Sequence, residues 1–358
     1  MGTIRLPGLI DVHVHMRDPG ATHKEDWDSG TASALAGGYT CVLAMPNTSP
    51  PITDVISLEA AMAVARNKAR CDYGLYLGAA SNNITTAASL ASRVTGLKLY
   101  LDQPFGPLRL HTLPALQAHM SSWPRNCPLL CHAEGHMAAA AIMVAMLQQR
   151  SVHICHVSRK AEVALIRAAR ERGIPVTCEV TPHHLFLTEA DVPIIGTGRS
   201  EVRPRLNSAS DQVALWQALS DGVIDCIATD HAPHTLAEKD SKRPPPGFPG
   251  LETALALLLG AVRAGRLTRE RLVEVMHTNP ALVFGIAPQP ETWVDVDTDA
   301  RWEVAGAQLH SRCGWTPFEG RQLRGRVRRV TLRGARAFED GKVLAGSGSG
   351  LDVSKAQG

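Results

Sequence analysis

Two histidines, His13 and His15, lie one residue apart just after an apolar run near the start of the chain. The stretch LIDVHVHMRDPG, residues 9–20, combines strand-forming residue types with a Pro-Gly pair that ends a strand. Because residues i and i+2 of a strand point to the same face, both imidazoles can bind one metal ion, and Arg17 can lie on that side too. Two solvated histidines on a strand edge would leave the same pattern, so the rest of the chain must decide.

Polar residues of similar chemistry follow most of the other short apolar runs. They are Asn47, Lys98, His132 with Glu134, Cys155 with His156, Glu179 with His183 and His184, and Asp230 with His231 and His234. Imidazole, thiolate and carboxylate groups are the ligands that zinc prefers. Chance would supply one or two such residues, whereas here nearly every run delivers one. The pattern indicates a metal-dependent active site.

The apolar runs and the segments between them predict the fold. We predict eight strands, at GLIDVHV, YTCVLAM, DYGLYLGA, GLKLYL, PLLCHA, VHICHV, PVTCEV and IDCIATD. The predicted helices are DSGTASALAGG, DVISLEAAMAVARNKA, TLPALQAHMSSW, HMAAAAIMVAMLQQR, RKAEVALIRAARERG and SDQVALWQALSDG. This alternation predicts an α/β fold, a (β/α)8 TIM barrel whose C-terminal rim carries the polar residues. An open doubly wound sheet is the alternative, but no GxGxxG follows the first strand.

The sequence changes in texture after about residue 305, where polar alternation and glycines replace the helical patterns. We predict a barrel at residues 6–305 and a small β module at residues 306–346, which also takes in residues 1–6. For residues 347–358, which read SGSGLDVSKAQG, we predict a flexible tail. The β module has only a C-terminal half. We therefore interpret the chain as a segment of a longer polypeptide.

Composition excludes several classes of function. The net charge is +3 with both signs mixed along the chain, so neither a nucleic-acid footprint nor a membrane-binding patch is indicated. The eight cysteines are scattered, and most lie in apolar runs, which is typical of a reducing compartment. The N-terminus has no apolar signal core, and we predict a cytoplasmic protein. Met137, Met143 and Met146 lie at helical spacing and are expected in the core.

Lys98 lies inside the apolar run GLKLYL, where a charged ammonium group is costly. A salt-bridged or snorkelling lysine is one interpretation. The other is a modified lysine, because a neutral amine can take up CO₂ to form an anionic carbamate with two oxygens. Such a group can bridge two metal ions that share a hydroxide.

At this point the motifs HVHMR, AMPNT, GLKLY, CHAE, HICHV and TDHAPH together resemble the dihydroorotases of the amidohydrolase superfamily. The longer string TDHAPHTLAEKDSKRPPPGFPGLET is similar to the CAD branch, in which dihydroorotase is one domain of a multifunctional pyrimidine-synthesis polypeptide. The resemblance covers almost the whole chain. It implies reversible cyclisation of N-carbamoyl-L-aspartate to L-dihydroorotate, with the other domains of that polypeptide as partners. A domain taken from such an assembly is also expected to form a homodimer.

The resemblance also implies a role for each matching residue. His13 and His15 would bind one zinc with Asp230, and carboxylated Lys98 would bridge to a second zinc bound by His132 and His156. A third zinc is implied, with Cys155, Glu179 and Asp230 as ligands. Asp230 would move the proton between the attacking water and the ring nitrogen. The residues implied in substrate binding are Arg17, Asn47, Arg203, His234, Pro246 and Phe105.

One loop departs from the family pattern. Residues 102–107 read DQPFGP, so Phe105 matches the loop aromatic, but Pro104 stands where the family has a threonine. Proline lacks the hydroxyl and stiffens the loop, which leaves a catalytically weakened, scaffold-like domain as an alternative. Dihydropyrimidinase or hydantoinase activity is a second alternative. Arg17 and Asn47 argue against it, because a substrate without a carboxylate needs no such clamp.

Overall fold

The computed structural model describes residues 2–102 and 106–354. Its centre is an eight-stranded parallel sheet in which each strand pairs with the next along the chain. A bridge between Val14 and His231 brings the two ends of this sheet together, which closes the barrel. The predicted (β/α)8 TIM barrel is confirmed. Its strands are β2 (Leu9–Val14), β3 (Tyr39–Ala44), β4 (Asp72–Gly78), β5 (Gly96–Tyr100), β6 (Leu129–His132), β7 (Val152–Ile154), β8 (Val176–Val180) and β9 (Cys226–Ile227).

Helices connect the barrel strands, and the six predicted ones are all present. Capping residues set where several of them begin: Asp26 and Asp54 each accept a hydrogen bond from the backbone three residues later. The helices are α1 (Trp27–Ala36), α2 (Val55–Lys68), α3 (Ile84–Ser89), α4 (Leu113–Ser122), α5 (His136–Leu147), α6 (Lys160–Glu171), α7 (Pro182–Phe186), α8 (Val192–Ile195), α9 (Ala209–Ser220), α10 (Leu236–Lys239), α11 (Leu251–Arg263), α12 (Arg269–Val273) and α13 (Asn279–Phe284).

A five-stranded antiparallel sheet lies beside the barrel. Its strands, in spatial order, are β1 (Thr3–Pro7), β10 (Trp293–Glu303), β11 (Gln322–Leu332), β12 (Ala335–Glu339) and β13 (Lys342–Val343). The sheet therefore joins both ends of the chain, and its C-terminal part begins at Trp293 rather than after residue 305. In the segment WVDVDTDARWE, buried and exposed residues alternate along only part of the strand. The sequence pattern therefore indicates a strand only weakly.

The end of the chain packs on the bottom of the barrel as far as it is described. Gly350 N donates to Ala69 O (2.9 Å), and Leu351 O accepts from Tyr73 N (2.9 Å). A Cβ on Gly350 would lie 2.0 Å from Cys71 O, so only glycine allows this approach. These contacts order residues within the segment that we predict as a flexible tail. Residues 355–358 lie outside the described residues.

The burial of side chains overturns the prediction for two methionines and agrees with the one for the cysteines. Met143 and Met146 of α5 are 54% and 41% exposed, so placing them in the core is wrong. After His136, α5 carries no polar residue to mark its outer face, which is why its spacing alone did not predict the exposed side. All eight cysteines are buried and unpaired. No helix in the described part of the chain is long and apolar enough to cross a membrane.

Candidate active site

The C-terminal ends of the barrel strands surround a cavity that is open to solvent. Strand ends meet there because all eight strands run in parallel. Most of the residues singled out from the sequence line it. These are His13, His15, Arg17, Asn47, His132, His156, Arg203, Asp230 and Pro246.

His15 and Asp230 form one half of the candidate metal centre. Asn47 Oδ1 lies 2.6 Å from His15 Nδ1, and this oxygen can only accept, so Nδ1 carries the proton. His15 Nε2 then presents a lone pair to Asp230 Oδ1 at 3.1 Å. Burial lowers the pKa of His15 to about 4, so the ring is neutral at pH 7. Two acceptors that face each other at this distance fit a bound cation.

His13 has the same arrangement on a second side. Its Nδ1 lies in hydrogen-bond contact with Glu179 Oε1, and its Nε2 faces Asp230 Oδ1 at 3.3 Å. Burial raises the pKa of Asp230, but His13 and His15 outweigh it and hold that pKa below its ordinary value. Asp230 is therefore a carboxylate that meets two imidazole nitrogens.

Donor atoms converge in two groups that can hold a metal ion. One consists of His13, His156 and Asp230, and all its donor atoms lie within 4.8 Å of one another. His156 Nδ1 is buried and has no hydrogen-bond partner among the described residues, which fits a metal ligand. The rings of His132 and His156 lie 4.4 Å apart, so His132 adjoins this group.

The second group consists of His13, Cys155 and Glu179, also within 4.8 Å. The resemblance implies Asp230 as the third member of such a site, whereas the structure brings His13 to this position. The reason is that each ring nitrogen of His13 faces a different carboxylate. His153, which we did not single out, holds the other oxygen of Glu179 through Nε2 at 3.1 Å. The sequence feature that could have identified His153 is its position in VHICHV, two residues before Cys155.

Lys98 is fully buried in β5, next to both groups. Its Nζ donates to Cys155 Sγ (2.8 Å) and lies 5.3 Å from the centre of the Tyr100 ring. A thiol and an aromatic ring are weak partners for a buried ammonium ion. The surroundings therefore favour a group other than a permanent cation at this position.

Backbone strain concentrates at this site. Arg17, His156 and Asp230 all have positive φ, at 60°, 34° and 47°. These conformations are costly for residues with a side chain and persist where surrounding contacts enforce them. Here they turn three side chains out of the strand direction and toward the cavity.

Arg17 and His234 form a second cluster beside the metal ligands, and Pro246 adjoins it. Arg17 Nη2 lies 3.0 Å from His234 Nε2, which in turn lies 3.1 Å from Pro246 O. Burial lowers the pKa of Arg17 to about 10, so its guanidinium stays charged at pH 7. Arg203 lies on the same cavity but points part of its guanidinium at Glu201 Oε2 (3.0 Å).

The remaining predicted residue, Phe105, lies outside the described residues, as does Pro104. What is described of the loop is its start and end. Asp102 accepts from Glu134 N (2.7 Å), and Arg109 forms a bridge with Tyr100.

The sequence matches a model of the amidohydrolase family over residues 4–289. The chain belongs to this family. Among relatives of this amidohydrolase, multifunctional protein pyr1-3 of Dictyostelium discoideum is 53% identical and multifunctional protein CAD of Squalus acanthias 52%, each over 98% of the chain. The chain spans 16% of the length of each. The dihydroorotase of Mycobacterium tuberculosis is 36% identical, over 96% of this chain and 90% of that protein.

Solved structures agree on the fold of this amidohydrolase. L-hydantoinase (dihydropyrimidinase) from Arthrobacter aurescens has a TM-score of 0.93 at 26% identity, and the match covers 98% of this chain and 89% of that one. The inactive dihydroorotase-like domain of the Chaetomium thermophilum CAD-like multifunctional protein has a TM-score of 0.84 at 30% identity, with coverages of 98% and 99%.

Proposed function

We propose that this amidohydrolase is a dihydroorotase, which interconverts N-carbamoyl-L-aspartate and L-dihydroorotate. The observation that carries the proposal is that the metal-ligand group His13, His156 and Asp230 lines the same cavity as Arg17. A cyclic amide with a carboxylate needs both features, one at the amide and one at the carboxylate. The dihydroorotase relative with full-length coverage supports the same conclusion.

Two zinc ions are the proposed cofactor. His13, His15 and Asp230 would hold one, His132 and His156 the other, and carboxylated Lys98 would bridge them. When bound, such a pair supplies a water of lowered pKa and polarises the amide carbonyl. The facing lone pairs of His15 and Asp230 and the unpartnered Nδ1 of His156 support this donor set. Cys155, Glu179 and Asp230 are the proposed donors of a third zinc, and Cys155 and Glu179 lie with His13 in the second group.

Three residues of the chain would carry out proton transfer and substrate binding. Asp230 is ionised and faces the ligand histidines, so it can accept a proton from the attacking water and pass it to the leaving ring nitrogen. Arg17 offers a planar fork of N–H groups that suits the substrate carboxylate. Asn47 holds His15 through Oδ1, which leaves its amide N–H groups for substrate.

Hydantoinase activity is the enzyme alternative, and the structural match to L-hydantoinase keeps it relevant. That likeness is at 26% identity, whereas the dihydroorotase of Mycobacterium tuberculosis is 36% identical. A buried, charged Arg17 beside the cavity has no partner in a substrate without a carboxylate. An unpaired guanidinium there would be costly, so the cavity favours the acidic substrate.

An inactive scaffold is the non-enzyme alternative, since one structural neighbour is described as an inactive dihydroorotase-like domain. A scaffold has no need of metal ligands. Here all the proposed ligands are present, buried, and gathered at one rim. These ligands favour an active enzyme, and the loop at residues 102–107 is the feature that would lower its turnover.

A homodimer and the other domains of a multifunctional polypeptide are the proposed partners. Helix α5 presents Met143, Met146 and Leu147 to solvent, and they are 54%, 41% and 66% exposed. An apolar helix face of this kind fits a second copy of the chain. The variant Met143→Glu tests this: we expect a halved mass by light scattering, and an unchanged dimer would refute the assignment of α5.

The function is tested with zinc-loaded protein assayed in both directions, together with Lys98→Ala and a metal-free sample. We expect interconversion by the wild type only. Turnover of dihydrouracil but not dihydroorotate would favour the hydantoinase alternative. Bound zinc without turnover of either substrate would favour the scaffold, and restoring threonine at position 104 would then show whether the loop is responsible.

A further inference from the structure

The ring nitrogens of His234 face donor groups on both sides. Lys24 Nζ lies 3.1 Å from Nδ1, and Arg17 Nη2 lies 3.0 Å from Nε2. A lysine ammonium group and a guanidinium can only donate. One nitrogen of a neutral imidazole must also donate, so the ring can satisfy only one of these two neighbours.

The surrounding groups decide which nitrogen carries the proton. Pro246 O lies 3.1 Å from Nε2 and accepts from it if Nε2 is protonated. On the other side, Glu238 Oε2 lies 4.0 Å from Nδ1, which is beyond hydrogen-bond distance. The proton therefore belongs on Nε2, and Nδ1 accepts from Lys24.

Lys24 is itself held in place. Glu238 Oε1 lies 3.1 Å from its Nζ, and the Lys24 side chain is 17% exposed. Thr235 N donates to the other carboxylate oxygen of Glu238 (3.0 Å), which fixes that side chain at the start of α10. The chain of contacts thus runs from α10 through Glu238 and Lys24 to the imidazole.

The ring is neutral in these surroundings. Burial lowers the pKa of His234 far below its ordinary value, and the cations Arg17, Lys24 and Lys239 lower it further. A second proton on the ring would face Lys24 directly. The neutral ring with Nε2–H is the form that the geometry leaves.

We infer that Lys24 is a positioning residue, which fixes the tautomer of His234 so that Nε2–H donates to Pro246 O and cannot accept from Arg17. Arg17 Nη2, 3.0 Å from Nε2, then has no acceptor on the ring and is left to donate to an anionic oxygen of the substrate. The carboxylate of the substrate would be that acceptor. The identity of the anion rests on the proposed function, whereas the tautomer of His234 does not depend on it.

The first test is the tautomer in the wild-type protein. Histidine labelled with ¹⁵N reports which ring nitrogen is protonated, and His234→Gln identifies the signal. We expect Nε2–H in the zinc-loaded wild type and in Lys24→Arg, which keeps a donor-only side chain. A proton on Nδ1 in the wild type would overturn the inference, whatever the enzyme's activity.

The second test separates positioning from general loss of charge. In Lys24→Met, Nδ1 is released and Nε2 can accept from Arg17, so the two clamp residues satisfy each other instead of the substrate. We expect a mixed or Nδ1–H signal and a KM for dihydroorotate raised about tenfold, with kcat changed less than threefold. Lys342→Met, an exposed lysine on β13, is the charge-matched control and should change neither.

The outcomes distinguish the two proposals. A tautomer change in Lys24→Met without any dihydroorotase activity in the wild type would support Lys24 and refute the proposed function. A higher KM with an unchanged tautomer would overturn the inference, because Lys24 would then act only through its charge.

Discussion

The metal-ligand groups and the Arg17–His234 cluster lie beside the same cavity but are built differently. His13, His132 and Glu179 lie on barrel strands, and His156 and Asp230 follow within three residues of a strand end. Arg17 and His234 lie on the loops that follow β2 and β9, and their contacts come from other loop residues, namely Lys24, Pro233 and Pro246. The first set is positioned by the sheet and the second by other loops.

The loops that carry the substrate-binding residues are held by hydrogen bonds from residues far away in the chain. His234 O accepts from Trp315 Nε1 at 2.6 Å, although 81 residues separate them. Lys239 Nζ donates to the carbonyls of Glu201 (2.6 Å), Pro245 (2.9 Å) and Gly247 (3.2 Å), and so ties together the two loops that carry Arg203 and Pro246. The substrate end is therefore more sensitive to remote changes than the metal end.

Removing Asp230 should have the largest effect, since it belongs to the strand-borne set and also carries the proton. We expect Asp230→Asn to lower kcat by about 10³-fold or more and to reduce bound zinc. Turnover and metal content measured on the same sample check this. Asp295→Asn, a buried aspartate of the antiparallel sheet, should leave both within twofold; a similar loss there would mean that the effect is one of folding.

Arg17→Met should separate the two sets. We expect kcat/KM for dihydroorotate to fall about 10- to 100-fold, because a charge-assisted pair is lost, while bound zinc is unchanged. Arg17→Lys should recover only part of this, since lysine lacks the planar fork. If zinc is lost along with substrate binding, the two sets are not separate.

Trp315→Phe should have a smaller effect and should act on the clamp alone. The variant removes the hydrogen bond to His234 O but keeps an aromatic ring beside Phe248. We expect KM to rise about fivefold, which corresponds to about 1 kcal/mol, with kcat and zinc content unchanged. Steady-state kinetics check this, and an equal fall in kcat would argue against a role confined to the clamp.

The smallest effect should be a pH dependence of stability. A hydrogen bond to Glu252 raises the pKa of His310, in the segment that leads to Trp315. A histidine with a raised pKa in the folded state stabilises it fully at low pH, and this is lost as pH rises through that pKa. We expect the difference in Tm between wild type and His310→Gln to be larger at pH 6 than at pH 8. The reverse order would show that the pair does not contribute as a charge.

The sequence predicts the barrel well because its signal is local. Each strand is a short apolar run, and period-2 geometry places His13 and His15 on one face without knowledge of the rest. The boundary of the antiparallel sheet was harder to predict from the sequence, since β10 pairs with β1 across nearly the whole chain. The exposure of Met143 was also hidden, because an apolar residue can lie on a surface as well as in a core.

By itself, the sequence determined the order of strands and helices and the set of side chains that reach the C-terminal rim. Those features follow from backbone periodicity, which a local pattern expresses. Only the tertiary structure decided that His13 faces both Asp230 and Glu179, that His153 supports Glu179, and that Lys24 faces His234. Hydrogen bonds depend on distances and directions between atoms, and closing the barrel is what brings residues 13, 179 and 230 to the same point.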